Sequence, residues 1–187
     1  MNIFAVTVTY GNRFYLLKQV VDRALTEGVQ KVIVVDNKSD KESREQLKLY
    51  EQWLGKDKIK VLYLDDNCGS AGGFKRGLEE AYTDASCDYI LVLDDDNLVG
   101  KNSISKILNV FSYLERLENN YMLSFYRDLR DDNKKIVETG WIKRYLPNNF
   151  LGFNFLYQLK NKFKKGQTKG LVNFFPLQPI EVTAMGG

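Results

Sequence analysis

The sequence predicts an α/β domain with a mostly parallel sheet and helices on both of its faces. Short apolar runs rich in β-branched residues alternate with longer segments whose apolar residues recur at helical spacing. This alternation is typical of strand–helix–strand units. A group of polar residues follows each apolar run. Because the ends of parallel strands lie at one edge of a sheet, these polar groups should converge there.

Four strands are predicted, over residues 3–9, 31–36, 60–64 and 89–94. A helix over residues 14–25 follows the first strand, and Gly28 is placed to end it. A second helix should run from residue 40 to about residue 54, opened by a capping box of Ser39 and Glu42 and followed by Gly55. A third helix, 71–83, follows a glycine-rich turn, and a fourth covers residues 104–117.

The alternation of predicted strands and helices ends at about residue 120. Residues 121–142 predict two strands joined by a polar turn at 130–135. An aromatic and lysine-rich stretch follows over residues 141–175, and residues 179–185 predict another strand that ends in a Gly-Gly turn. The lysine-rich patch, 160–169, could contact an anionic membrane or a lipid-linked substrate. The alternative is an insertion whose aromatic residues pack locally or against another part of the protein.

Composition excludes several classes of function. The 187 residues are 44% hydrophobic and 27% charged, as in an ordinary globular protein. A net charge of +3 is too small to indicate nucleic-acid binding, though it suits a phosphorylated ligand. Cys68 and Cys87 form no metal-binding pattern, and we expect reduced thiols in a cytoplasmic protein. The N-terminus reads as a strand and not as a signal peptide. With no histidine in the chain, catalysis must use other groups or a metal.

Three consecutive carboxylates, Asp94, Asp95 and Asp96, follow the fourth predicted strand. Side chains alternate along extended backbone, so Asp94 and Asp96 should share one face while Asp95 faces the other way. No basic residue adjoins them, and repulsion among like charges costs free energy. Two carboxylates on one face can hold Mg²⁺ or Mn²⁺ and leave coordination positions for diphosphate oxygens. The alternative is an acidic turn exposed to water.

A glycine-rich turn, "NCGSAGGFKRGLEEA", feeds the third helix and places Lys75 and Arg76 in its first turns. A helix N-terminus with nearby cations favours phosphate. The glycine spacing matches neither the P-loop nor the dinucleotide-binding pattern. Alternatively, Gly72 and Gly73 allow tight packing of the helix on the sheet.

Two further strand ends carry candidate ligands. Asp36 closes the second strand, where an acid often hydrogen-bonds a ribose, but it could equally be a turn or capping residue. Thr9 and Tyr10 follow the first strand and could flank a base, or simply form the turn into the first helix.

Together, "VTVTYGNR", "VIVVDNKSD", "NCGSAGGFKRGLEEA" and "YILVLDDDN" resemble the family 2 glycosyltransferases, which have the Rossmann-like GT-A fold. The branch that these motifs resemble is the galactofuranosyl- and rhamnosyltransferase-like one. The resemblance is strong over residues 3–118 and loose over 120–140. It implies a UDP- or dTDP-sugar donor, Mn²⁺ or Mg²⁺, and inverting transfer to a glycan or lipid-linked glycan in cell-surface polysaccharide synthesis.

The resemblance also assigns roles to residues. Asp94 and Asp96 would bind the metal. The donor would contact residues from all four strand ends, namely Thr9, Tyr10, Asp36, Asn67, Gly72, Gly73, Lys75, Arg76, Asp94 and Asp95. Within a single domain, 1–187, residues 1–118 would bind the nucleotide-sugar and residues 119–187 would begin the acceptor side. The catalytic base is expected beyond Gly187, on a portion that would follow the chain, with the protein at the inner face of the membrane.

Two rival functions fit less well. A sugar-phosphate nucleotidyltransferase would need a glycine-rich arginine motif soon after the first strand, and "TYGNRF" does not supply it. The non-enzymatic alternative is a nucleotide-sugar-binding module, either degenerate or part of a longer enzyme. Donor hydrolysis in the presence of metal separates that module from an intact enzyme.

Overall fold

A computed structural model describes residues 1–114 of the chain, which lie within a compact unit, Met1–Asn120. Four strands and four helices alternate along the described residues. Their bounds are β1 Ile3–Gly11, α1 Phe14–Thr26, β2 Lys31–Ser39, α2 Lys41–Leu54, β3 Ile59–Tyr63, α3 Gly69–Thr83, β4 Tyr89–Asp94 and α4 Ser103–Leu114.

The four strands form one parallel sheet in the order β3-β2-β1-β4. The chain moves outward from β1 to β3, and α3 then carries it back so that β4 pairs with the free side of β1. Val8 of β1 is the register partner of Asp94, the last residue of β4. The direction of winding therefore reverses between β1 and β4, and ligands of open α/β sheets bind at the carboxyl edge of such a switch point.

Helices cover both faces of the sheet, as the sequence predicts. One face packs against α1 and α2 through residues such as Leu17, Val20 and Leu47, all at most 1% exposed. The other face packs against α3, where Ala81 contacts the cluster of Val6 and Ile33. Burying an aliphatic side chain fully stabilises the fold by about 1.5–3 kcal/mol, so these two layers anchor the strand ends that carry the polar residues.

The predicted elements within the described residues are confirmed, and the ends of several of them differ by one to three residues. β1 and β2 run two and three residues longer than predicted, because Gly11 and Ser39 still pair beyond a register shift. The predicted capping box is wrong. Ser39 belongs to β2, its buried hydroxyl has no hydrogen-bond partner, and α2 begins after Asp40 without a side-chain cap. Gly28 and Gly55 follow their helices with positive φ, which is common at helix ends and which glycine adopts without strain.

Several predictions lie outside the described residues. These are the strand pair at 121–142, the aromatic and lysine-rich stretch, the strand at 179–185 and the division at residue 118. Within residues 1–114, no helix is long and apolar enough to cross a membrane.

Close packing of α3 on the sheet depends on Gly77. A Cβ atom built there would lie 2.5 Å from Cγ1 of Val6 and 3.1 Å from Cγ2 of Val35. Overpacking costs about 1–3 kcal/mol, and the better helix propensity of alanine offsets up to about 1 kcal/mol of it. We therefore expect Gly77→Ala to lower the free energy of unfolding by about 1–2 kcal/mol in urea denaturation.

Tyr82→Ala is the control for this substitution. Tyr82 lies near the end of the same helix and is 86% exposed. Its replacement should change the free energy of unfolding by no more than about 0.5 kcal/mol. Equal stability of Gly77→Ala and the wild type would show that α3 does not pack as described.

Candidate functional site

A cavity of about 520 Å³ opens at the carboxyl edge of the sheet, at the switch point between β1 and β4. We call it the edge cavity. Its walls come from the ends of β1, β2 and β4 and from the start of α3. The residues that line it are Val8, Tyr10, Arg13, Asn37, Asn67, Gly69, Ser70, Phe74, Asp94, Asp95 and Asp96. All four predicted strand ends therefore contribute residues to one place, with Asn67 coming from the segment after β3.

The three aspartates differ sharply in exposure. β4 ends at Asp94, yet the alternation of the strand continues into the turn: Asp94 and Asp96 are exposed, whereas Asp95 is 4% exposed. This agrees with the prediction that Asp94 and Asp96 share a face. Asp94 accepts a hydrogen bond from Nδ2 of Asn97 at 2.8 Å. The exposed pair thus presents carboxylates to the cavity, and the middle aspartate turns inward.

Asp95 is held by Arg13 and Thr9. Arg13 donates from Nε to Oδ2 at 2.9 Å and from Nη2 to Oδ1 at 2.7 Å. Thr9 adds a hydroxyl donor to Oδ2 at 2.8 Å. The hydrogen bonds to Asp95, and then to Asp96, raise the pKa of Arg13 above its ordinary value. The guanidinium is therefore charged at every working pH.

Arg13 also reaches Asp96, with Nη2 donating to Oδ2 at 2.8 Å. The prediction that the aspartates lack a cationic neighbour is therefore wrong. The cation is absent from their own stretch of sequence because it comes from the turn between β1 and α1, 82 residues earlier than Asp95. The guanidinium lies 5.2 Å from the ring centre of Tyr10, which is 49% exposed in the cavity.

Asn37 shapes the opposite wall of the cavity and is absent from the predicted donor-site residues, although it stands at the polar end of the second predicted strand. Its amide is 2% exposed; Nδ2 donates to Oδ1 of Asn67 at 2.9 Å and to the carbonyl of Gly69 at 3.1 Å. Its Oδ1 accepts from the backbone N–H of Cys68 at 2.9 Å. A single buried amide therefore fixes the turn that leads into α3. A polar amide at the end of an otherwise apolar predicted strand is the signal in the sequence that could have identified Asn37.

The two predicted donor-site glycines serve packing in this fold. A Cβ atom at Gly73 would lie 2.7 Å from Cγ1 of Val8, and one at Gly72 would lie 2.9 Å from Sγ of Cys68. Neither glycine lines the edge cavity. Packing of the helix on the sheet thus accounts for Gly73, while Gly72 makes room for the side chain of Cys68. Contact of either residue with a donor stays a prediction.

Lys75 and Arg76 lie outside the edge cavity. The ammonium of Lys75 is 3.8 Å from a carboxylate oxygen of Glu79. Arg76 donates to the thiol sulfur of Cys68 at 3.0 Å and lines a groove of about 680 Å³ between β3 and α3. Both side chains contact groups of α3 or the residue before it, and their assignment to the donor stays a prediction.

Asp36 is fully buried at the end of β2. One carboxylate oxygen accepts the backbone N–H of Ser39 at 2.8 Å, and the other accepts Nε of Arg44. Arg44 also donates to the carbonyl of Leu64, just after β3. The turn alternative therefore accounts for Asp36 in this structure, and its contact with a base or ribose stays a prediction.

A parallel sheet with helices on both faces and a cavity at its switch point is the architecture of Rossmann-like α/β domains. The chain matches the model of the glycosyl transferase family 2 over residues 5–172, and it belongs to that family. The described fold is accordingly of the GT-A type. No curated protein matches the chain.

Two solved structures share the fold. Staphylococcus aureus TarS superposes with a TM-score of 0.51 at 16% identity, over 68% of this chain and 24% of that one. The mannosyltransferase PcManGT from Pyrobaculum calidifontis, solved with GDP-Man and Mn²⁺, gives 0.53 at 14% identity, over 73% of this chain and 38% of that one. The chain thus spans less than two fifths of either structure.

Proposed function

We propose that this chain binds the donor of a metal-dependent, inverting glycosyltransferase that moves a sugar from a nucleotide-diphosphate sugar to a glycan or lipid-linked glycan. The observation that carries the proposal is the arrangement of the aspartates. Asp94 and Asp96 face the edge cavity, and Asp95 anchors the same turn inside the protein. Family membership and the GT-A fold support the same function.

The exposed aspartates fit Mn²⁺ or Mg²⁺, since both are hard cations that take carboxylate oxygens. Among residues 1–114, no group of three or more cysteine, aspartate or glutamate side chains converges as a metal site. The protein would therefore supply Asp94 and Asp96, leaving the other positions to diphosphate oxygens and water. PcManGT was solved with Mn²⁺ and a nucleotide sugar, which supports this reading. Such a cation would stabilise negative charge on the departing diphosphate.

The nucleotide would occupy the remaining wall of the edge cavity. Tyr10 offers an exposed aromatic ring to a base, and Asn67, Gly69 and Ser70 bring the start of α3 to the cavity. Backbone N–H groups in the first turn of a helix favour phosphate. The cavity thus combines a surface for the base with a positive end for the diphosphate.

We place the catalytic base outside the described residues. Asp95 is unsuitable because both of its oxygens already accept hydrogen bonds from Arg13 and Thr9, whereas a base must reach the proton of the acceptor. The particular sugar, the galactofuranosyl- or rhamnosyltransferase-like branch, polysaccharide synthesis and a location at the inner face of the membrane belong to the proposal and rest on the resemblance.

A thermal-shift screen tests donor binding. We expect UDP-, dTDP- or GDP-sugars with Mn²⁺ to raise the melting temperature. At about 100 times the dissociation constant a ligand adds about 2.7 kcal/mol, which corresponds to roughly 5–10 °C for a chain of this size. NAD and ATP serve as controls and should give much smaller shifts. A larger shift with NAD would contradict the proposal.

Hydrolysis of the bound donor separates the enzyme from the alternative, a nucleotide-sugar-binding module. Release of free sugar in the presence of Mn²⁺ supports an enzyme. Metal-dependent binding without any hydrolysis supports the module.

A further inference from the structure

We propose that Arg13 is a positioning residue for the cation site, a role that rests on the proposed function. Arg13 lies just before α1 and lines the edge cavity together with the aspartates. Among the described residues, it is the one cation that is ion-paired with Asp95 or Asp96. It reaches the site from the turn after β1, the strand that pairs directly with β4.

The hydrogen bonds of Arg13 link the orientation of the buried Asp95 to that of the exposed Asp96. Its fork onto both oxygens of Asp95 is a bidentate pair, which fixes the plane of the guanidinium. The Asp95 side chain is 6% exposed and the Asp96 side chain is 48% exposed. Asp96 alone would be free to rotate in solvent. Because Nη2 also holds Oδ2 of Asp96, the orientation of this exposed carboxylate follows that of the buried one.

Two effects of Arg13 on cation binding oppose each other. Its charge offsets one of three carboxylates and so weakens the attraction for a cation, whereas its hydrogen bonds hold Asp96 in one orientation. Removal of Arg13 would leave Asp95 with Thr9 as its remaining side-chain donor, and the turn that carries Asp94 and Asp96 would lose its bidentate anchor. We infer that this loss of orientation outweighs the gain in negative charge, and the variants below measure which effect is larger.

Nucleoside-diphosphate binding in chelator and in Mn²⁺ measures this role without any turnover. UDP, dTDP and GDP are titrated by calorimetry into the wild type, Arg13→Gln and Arg13→Lys. The readout is the ratio of the affinity in Mn²⁺ to the affinity in EDTA. Partners of metal ligands typically account for about 10–100-fold in metal affinity, so the ratio should fall at least about tenfold in Arg13→Gln. Lysine keeps the positive charge but cannot form the bidentate pair, so the ratio for Arg13→Lys should lie between those of the wild type and Arg13→Gln.

Arg23→Gln is the matched control. Arg23 lies on the last turn of α1 and is 3.7 Å from Glu27, far along the helix from the edge cavity. Its ratio should equal that of the wild type. Asp95→Asn is run beside it, because this nearly isosteric change removes the charge that anchors Arg13. We expect the ratio to fall in Asp95→Asn as well.

The outcomes separate the two proposals. No nucleotide binding by the wild type contradicts the proposed function. If Mn²⁺ raises the nucleotide affinity of Arg13→Gln by the same factor as that of the wild type, the role of Arg13 in the cation site is contradicted. If the nucleotide affinity of Arg13→Gln falls by the same factor in EDTA and in Mn²⁺, Arg13 has a structural role only. If circular dichroism shows that Arg13→Gln is unfolded, an unchanged ratio in Asp95→Asn overturns the inference.

Discussion

Replacing Asp96 with alanine should abolish the gain in nucleoside-diphosphate affinity that Mn²⁺ provides, and leave the affinity in chelator nearly unchanged. Asp96 is an exposed carboxylate of the edge cavity, held in orientation by Arg13. A cation that loses one of two protein ligands keeps too few oxygens to compete with water. Since partners of ligands already account for about 10–100-fold, loss of the ligand itself should cost at least about 100-fold in metal-dependent affinity.

Asp66→Ala is the control for this experiment. Asp66 follows β3, its side chain is 90% exposed, and it pairs with Lys38 outside the edge cavity. The Asp66→Ala substitution removes one surface carboxylate outside the edge cavity, so the gain in nucleoside-diphosphate affinity that Mn²⁺ provides should persist. Asp94→Ala should behave like Asp96→Ala. If the wild type binds UDP, dTDP and GDP equally well in EDTA and in Mn²⁺, the cation has no place in donor binding.

The second large effect concerns stability. Arg44→Met should lower the free energy of unfolding by about 3–5 kcal/mol, the typical cost of leaving one partner of a buried ion pair alone. Asp36 is fully buried, and Arg44 is its cationic partner as well as a donor to the carbonyl of Leu64. The same change removes a tie between the ends of β2 and β3. Urea denaturation followed by circular dichroism measures the loss.

Two further variants show whether desolvation is the cause. Lys41→Met changes the same helix, but the Lys41 side chain is 92% exposed, and the free energy of unfolding should move by no more than about 0.5 kcal/mol. Arg44→Met combined with Asp36→Asn removes both charges and should be more stable than Arg44→Met alone. A double variant less stable than Arg44→Met would contradict this explanation.

The periodicity of apolar residues predicted the described helices and strands well, since each element depends mainly on residues that are close together in the sequence. Apolar runs of β-branched residues predict β1 to β4, and helical spacing predicts the helices between them. Parallel pairing follows from the alternation of the two, because a parallel connection needs a crossover helix. The convergence of strand ends followed from the same rule, which brings Tyr10, Asn67 and Asp94 to one cavity.

The ends of the elements were predicted less well. α3 begins at Gly69, two residues earlier than predicted, and neither Lys75 nor Arg76 lines the edge cavity, so their contact with the donor stays a prediction. Ser39 was taken as a helix cap, but an added pair with Gly11 keeps it in β2. These two differences, at Ser39 and at the start of α3, arise because the end of an element depends on tertiary contacts, and a shift of one or two residues there redirects a side chain.

The sequence by itself determined the class of fold, the family and the face on which Asp94 and Asp96 lie, because each depends on neighbouring residues or on a local motif. Only the tertiary structure decided which groups hold those aspartates. Arg13 reaches Asp95 across 82 residues, and Asn37 reaches Cys68 across 31. Such partners depend on strand order and register, which bring distant residues within hydrogen-bond distance. Contacts of this kind produce no periodic pattern in the sequence, so periodicity cannot predict them.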